Sequence, residues 1–477
     1  MADMHRWDHS TDLLAHSIIG YAVERLKVSK DPHWGAHPAD ELGEVLKGAI
    51  SPQGIGGHQA LRLFRDELLP ACRPMDDPMN LAYVPTAPTP AATMFDLVVS
   101  ASSIFAGNWE AGAGAIAAEN QAIRWLADLA DYPAAAGGVF VSGGSAANLS
   151  ALVTARDVWR NRRSIGSADA DRTSTMARLA IAATTEVHAS VRSAARVMDV
   201  DIVEVAVDDR GRMTGPALAV ALAAAGPTLE VFAVVTTGGT TNAGVVDDLD
   251  GIATVCEQHN LWMHVDGAYG IAALCAPSVR HRFNGIERSN SFGVDPHKWL
   301  FAPYDCAALV YRDPLPAAAA HSQHGDYLDA IDRAQWNPSD YAYHLSRRAR
   351  GLPLWFSLAA YGTDAYSEAV EATIATAHQF AAEVQRRAPF ELLVQPVLSV
   401  VLFTRNGWDT ARYQAWSAQN AKNGVALVVP TKWHGQPCLR ICVVNPLTQL
   451  AALIAVLDDL ATDEANAGPG NSTDNVH

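Results

Sequence analysis

The sequence predicts an α/β protein built on a buried, mostly parallel sheet, and three observations carry that expectation. Short apolar runs (Gly138 to Val141, Leu179 to Ala183, Ile202 to Val207, Val231 to Thr236, Leu261 to Val265 and Ala307 to Tyr311) alternate with Ala-rich stretches of helical length. That order suits a sheet covered by helices on both faces. The runs are apolar throughout rather than at every second position, so both faces of each strand are to be buried. With 49% hydrophobic and 18% charged residues over 477 positions, and about 150 residues per domain, the chain has material for two or three domains and a large core.

Read from the amino terminus, residues 9–72 form a helical appendage: Leu13, Leu14, Ile18, Ile19, Val23 and Leu26 recur at helical spacing, and a second amphipathic stretch runs from Ala39 to Leu46. The strand-and-helix region follows. Polar residues then crowd His321 to Tyr343, a stretch long enough to be a lid over a site. After Gly351 come a helical region (Leu352 to Arg387), short strands near Glu391 to Phe403 and Cys438 to Val444, and a last helix from Leu447 to Leu460, which together predict a smaller α+β domain. The tail is rich in Asn, Gly, Asp and Thr and is expected to be disordered. The expected boundaries are 1–80 for the helical segment, 81–350 for the large domain, 351–460 for the small domain and 461–477 for the tail.

Charge and cysteines narrow the partners. With 35 Lys+Arg against 51 Asp+Glu the net charge is −16, which argues against a protein held by nucleic-acid phosphates or anionic lipid. Six scattered cysteines, without paired C-x-x-C spacing, read as reduced, buried thiols. No apolar stretch approaches the roughly 18 residues of a membrane span, and no signal core begins within Met1 to Ser10. The expectation is a cytoplasmic protein acting on a small molecule, with no nucleic acid, no membrane and no metal.

Four motifs carry chemistry. Ser291-Phe292-Gly293-Val294-Asp295-Pro296-His297-Lys298-Trp299 sets Lys298 among apolar neighbours. Most lysines simply sit on a surface, but partial burial here would lower the amine's pKa toward the form that attacks a carbonyl. His264-Val265-Asp266-Gly267-Ala268-Tyr269 puts Asp266 at the carboxyl end of a strand, the edge where open α/β sheets bind ligands. Alone, Asp266 could cap a helix or bind a metal; beside a Schiff-base lysine it suits the pyridine nitrogen of pyridoxal phosphate, whose ring then acts as an electron sink. Phe140-Val141-Ser142-Gly143-Gly144-Ser145-Ala146-Ala147-Asn148 offers strand, glycine turn and helix start, a cradle for a phosphate as well as a plain turn. His188 opens a helix after another strand and could stack on a flat cofactor or serve as a helix-start residue. Thr240 and Thr241 could bond to the cofactor or cap a turn.

In this order the motifs resemble the group II pyridoxal-phosphate-dependent amino acid decarboxylases, and the likeness runs from about Pro78 to Asn445. The resemblance implies the type I (aspartate aminotransferase-like) fold with a mostly parallel seven-stranded sheet. It also implies pyridoxal 5'-phosphate as cofactor and a homodimer wrapped by its amino-terminal helices. By the same resemblance Lys298 is the Schiff-base lysine, Asp266 the partner of the ring nitrogen, His188 the ring stacked on the cofactor and Ala268 the contact on its other face. Gly144 and Ser145 hold the phosphate, with Thr241 close by. Tyr327, in Asp326-Tyr327-Leu328, falls where the family keeps the tyrosine that protonates the carbanion, assisted by His297; phenylalanine there marks oxygen-using aldehyde synthases. Asp295 stands where many members have Asn near the phosphate, so as a cofactor contact it must be protonated, turned away or paired.

The resemblance also speaks to substrate. Tyr83-Val84-Pro85-Thr86 resembles the Tyr-Phe-Pro-Thr of the aromatic branch, and Ser346 falls where plant enzymes acting on phenols tend to carry Ser. Tyr83, Thr86 and Ser346 are therefore the expected substrate contacts. Tyrosine or DOPA is the expected substrate, with tryptophan and phenylalanine beside them. Asp77-Pro78-Met79-Asn80 and Met75 depart from the aromatic pattern. The alternatives are a decarboxylase of an acidic or diamino acid, an aldehyde synthase, and a cofactor-binding protein without turnover.

Overall fold

The computed structural model describes residues 4–27, 35–165, 178–226, 228–323 and 334–462. Seven strands form one sheet: β1 (Gly137–Val141), β2 (Arg178–Thr184), β3 (Asp201–Val205), β4 (Leu229–Thr237), β5 (Trp262–Asp266), β6 (Ser291–Val294) and β7 (Ala307–Tyr311). Their spatial order is β1-β7-β6-β5-β4-β2-β3. β7 runs antiparallel to both of its neighbours, and every other pairing is parallel. Because β7 reverses direction twice over, β1 ends up parallel to β6, and the carboxyl ends of β1, β2, β4, β5 and β6 share one edge.

Every residue of β1, β5, β6 and β7 is buried, which is why these segments read as unbroken apolar runs. β6 is not among the apolar runs read from the sequence: Ser291–Val294, the first part of the lysine motif itself, is the strand. The flanking helices start at polar caps. Asn108 accepts from the Ala111 N–H at 3.0 Å to open Trp109–Leu129. Thr89 does the same for Ala92 at 3.2 Å to open Pro90–Ala101, with proline in the first turn.

The second sheet, antiparallel, has the order β10-β11-β9-β8, from β8 (Phe390–Leu392), β9 (Val400–Arg405), β10 (Val429–Trp433) and β11 (Gln436–Cys442). Its core joins Phe380, Phe403, Trp416, Leu439 and Leu457, and Leu81 packs among them. The helical region expected over Leu352 to Arg387 is two helices, Leu352–Tyr361 and Thr363–Arg386, broken where Gly362 takes a φ of +79°. The last helix runs Leu450–Thr462, so Ala461 and Thr462, expected in the tail, close it; the rest of the tail lies outside the described residues.

The amino-terminal helices His9–Lys27, Ala39–Val45 and Gly57–Leu63 bury no residue against this chain. Trp7, Leu13, Ile18, Ile19 and Phe64 are exposed. Five of the six cysteines are buried and free; Cys72, in this segment, is exposed, contrary to the expectation from sequence. Among the described residues no helix is long and apolar enough to cross a membrane.

Candidate active site

The shared strand edge collects the motifs. Gly144 and Ser145 follow β1, His188 follows β2, Thr240 and Thr241 follow β4, Asp266 ends β5, and Asp295, His297 and Lys298 follow β6. A sheet edge of this kind is where open α/β folds bind ligands.

Lys298 sits on the four-residue helix Pro296–Trp299, one turn after Asp295, and its Nζ is 2.9 Å from Asp295 Oδ2. Burial works against the ammonium, but the Asp295 carboxylate beside it, with Asp266 and Tyr304 adding to it, outweighs burial, and the amine is pushed up rather than down. This corrects the expectation from apolar neighbours alone: the i, i+3 carboxylate decides the sign. A protonated amine must lose its proton before it attacks a carbonyl, and Asp295 Oδ2 is the acceptor at hand. Of the three states open to Asp295, the structure shows it paired. His297 Nε2 is 3.6 Å from the same oxygen. The His297 Nδ1 accepts from the Cys306 N–H at 3.0 Å, so its hydrogen stands on Nε2, and burial lowers its pKa and keeps the ring neutral.

Asp266 is buried and accepts twice, from the Ala268 N–H at 3.2 Å on Oδ1 and from Asn148 Nδ2 at 2.8 Å on Oδ2. His188 is exposed and caps the helix Ala189–Met198 by accepting from the Ser190 N–H at 3.2 Å. Gly144 is pressed into a corner: a Cβ there would stand 3.1 Å from the Ala268 Cβ and 3.3 Å from Asp295 Oδ2. The glycine turn, Ala268 and Asp295 therefore surround one space.

The remaining expected contacts are less uniform. Ser145 is exposed at the turn. Thr241 is exposed and its carbonyl accepts from Arg440 Nε at 2.9 Å, while Thr240 is buried and shapes the turn by accepting from the Val245 N–H at 3.1 Å. Thr86 is buried and its hydroxyl donates to the Ala302 carbonyl at 3.3 Å. Tyr83 is exposed at a φ of +55°. Ser346 is exposed, beside Arg347, whose guanidinium makes a buried bidentate pair with Glu119 at 2.8 Å. Tyr327 lies outside the described residues.

The model of the pyridoxal-dependent decarboxylase conserved domain matches residues 58–406 of this chain. The chain belongs to this family. It is a pyridoxal-phosphate-dependent amino acid decarboxylase, a carboxy-lyase, with the type I fold. The aromatic-L-amino-acid decarboxylase of Bacillus atrophaeus is 27% identical over 92% of this chain and 93% of its own. The L-2,4-diaminobutyrate decarboxylase of Rhizobium meliloti (strain 1021) is 31% identical over 90% of this chain and 82% of its own. Oryza sativa TDC, solved with PLP and tryptamine, has a TM-score of 0.88 at 24% identity, covering 96% of this chain and 98% of that one. Rhodiola rosea 4-hydroxyphenylacetaldehyde synthase gives 0.80 at 22%, covering 94% and 95%.

The edge of the decarboxylase fits pyridoxal phosphate. Asp295 Oδ1 is buried without a hydrogen-bond partner among the described residues, and glycine at 144 keeps open the corner that a side chain would close. Gly143 has open space where its Cβ would stand, so backbone N–H groups at the start of the helix Gly144–Ile165 can face an anion.

Three residues of the site escaped the sequence reading. Asn148 was quoted at the end of the glycine motif without a role. Tyr304 tilts its ring over His297, with centroids 4.7 Å apart; only the chain's return from β6 to β7 brings it there, and no local signal announces it. Arg440, buried on β11, donates through Nε to the Thr241 carbonyl at 2.9 Å. Burial pushes the Cys442 thiol up, while the charge of Arg440, a hydrogen bond with its side chain and the charge of Lys298 draw it back, so both cations act on that sulfur. Here a signal existed: a charged residue inside the apolar run Cys438-Leu439-Arg440-Ile441-Cys442.

Proposed function

We propose that the decarboxylase acts on an aromatic L-amino acid of the tyrosine or DOPA type, releasing CO2 and the amine, as a cytoplasmic homodimer. The observation that carries this reading is the docking of residues 83–89 on the chain just past the lysine. Thr86 bonds to Ala302 at 3.3 Å, and the Thr89 N–H donates to the Phe301 carbonyl at 3.0 Å. The run that resembles the aromatic branch is therefore tied to the segment that follows Lys298, which supports the reading. Relatives named aromatic-L-amino-acid decarboxylase, at 27% to 30% identity, agree with it. The diaminobutyrate relative at 31% favours a second reading, a diamino acid substrate. The amino-terminal helices, with apolar side chains that this chain leaves uncovered, support the dimer.

Bound pyridoxal phosphate supplies the electron sink for the pair left behind when CO2 departs. The chain's own residues do the rest. Lys298 provides the amine, and Asp295 takes its proton. Asp266 sets a negative charge for the ring nitrogen, and His188 and Ala268 cover the ring's two faces. Arg440, the buried cation whose charge acts on Cys442 together with that of Lys298, orients the substrate carboxylate. His297, neutral with its hydrogen on Nε2, and Tyr327 deliver a proton to Cα.

The test is CO2 release from L-tyrosine, L-DOPA, L-tryptophan and L-phenylalanine against L-glutamate and L-2,4-diaminobutyrate, with peroxide and ammonia followed in parallel. CO2 from the phenolic acids without peroxide is expected. Release confined to diaminobutyrate or glutamate overturns the aromatic reading, and stoichiometric peroxide and ammonia make the protein an aldehyde synthase.

A further inference from the structure

Asn148 stands early in the helix Gly144–Ile165, 1% exposed, with both ends of its amide engaged. Nδ2 donates to Asp266 Oδ2 at 2.8 Å and to Ser190 Oγ at 3.0 Å, and Oδ1 accepts from His264 Nε2 at 2.9 Å. These directions are forced. A carboxylate donates nothing, so the amide nitrogen must face Asp266 and the amide oxygen must face His264. His264 then carries its hydrogen on Nε2. Its Nδ1 is left to accept from the Ser291 hydroxyl at 2.9 Å, and that oxygen accepts from Trp262 Nε1 at 3.0 Å.

The bonds therefore run one way, Trp262 to Ser291 to His264 to Asn148 to Asp266, through side chains that are all under 8% exposed. Burial pushes the His264 pKa down to about 4, so the ring stays neutral and the direction holds. A branch leaves the same amide: Ser190, having accepted from Asn148, turns its hydrogen to His188 Nδ1 at 2.8 Å. One NH2 group thus reaches the partner of the ring nitrogen directly and the stacking histidine through a single hydroxyl. All five groups are buried, so a cut anywhere leaves one of them unpaired.

We propose that Asn148 is a positioning residue of the decarboxylase: backed by the His264–Ser291–Trp262 relay, it holds Asp266 as an acceptor-only carboxylate aimed at the cofactor ring. The proposal rests on the reading of Asp266 as the ring-nitrogen contact. Two variants dissect it. Asn148→Asp keeps an acceptor for His264 but sets a carboxylate against Asp266; Asn148→Leu removes both bonds at similar volume.

The first readout needs no cofactor: nitrogen NMR of the histidine rings in the full-length chain. His264 is expected as the Nε2–H tautomer in the native protein and in Asn148→Asp. In Asn148→Leu the hydrogen is expected to move to Nδ1, where Ser291 Oγ accepts it. The second readout is the Kd for pyridoxal phosphate together with the absorbance of the bound cofactor. Either variant is expected to raise Kd about tenfold or more and to shift the absorbance band, which a merely structural asparagine would not do. A native His264 with its hydrogen on Nδ1, or an Asn148→Asp protein whose Kd stays within about twofold of native, overturns the proposal, even where Asn148→Leu does not fold. A native chain that binds no pyridoxal phosphate sinks the cofactor reading instead, and the tautomer still decides the relay.

Discussion

The two halves of the site are built on opposite principles. Behind Asp266, Asn148, His264, Ser291 and Trp262 form a buried chain in which each donor has its acceptor. Around Lys298 the bonding is incomplete: Asp295 Oδ1 has no partner among the described residues, the lysine side chain is 24% exposed, and Tyr304 is 48% exposed. The contrast suits the role proposed for each half. A charge that only has to stay in place is best surrounded by saturated, buried hydrogen bonds. Groups that pass protons and accept a substrate need spare capacity and access.

Three measurements break or sharpen this comparison. The largest effect belongs to the saturated half. The folded His264 pKa, near 4, lies below the unfolded value near 6.5. The folded state therefore resists protonation, and stability present above about pH 6.5 is lost as pH falls through about 4, by up to about 3 kcal/mol. Urea titrations across that window, compared with a His264→Gln protein that lacks the ionisation, check it.

At the open half, Arg440→Gln removes the cation assigned to the substrate carboxylate and is expected to lower kcat/KM about 10- to 100-fold, mostly through KM. An unchanged KM removes Arg440 from the substrate site. The smallest effect is at Asp295. Its carboxylate leads the groups that lift Lys298 against burial, so Asp295→Asn should lower the amine's pKa. The pH dependence of Lys298 modification in the cofactor-free chain reads this directly.

Much of the edge was legible in the sequence because each motif ends a strand, and a strand's end is a position that hydrophobic pattern alone can locate. Lys298, Asp266, Gly144 and His188 gather on one edge for that reason. What pattern does not carry is the partner. The sign of the Lys298 shift turned on Asp295 three residues earlier, visible in sequence only once the short helix between them is known. Asn148 was visible as a polar residue in an Ala-rich helix start, but its role needs β5 and β6 laid side by side, which brings His264 and Ser291 into line. The strand in the lysine motif is missing from the apolar runs because Gly293 interrupts its pattern. The break at Gly362 was missed because the residues on either side share a helical pattern.

The central claim, that Lys298 is the residue holding pyridoxal phosphate in this decarboxylase, is tested most directly by reducing the cofactor-loaded protein with borohydride and mapping the modified peptide by mass spectrometry. A single pyridoxyl group on Lys298, with the yellow absorbance absent from Lys298→Ala and CO2 release lost with it, is the predicted result. A modified residue elsewhere in the chain, or a Lys298→Ala protein that still turns yellow and releases CO2, would contradict the account.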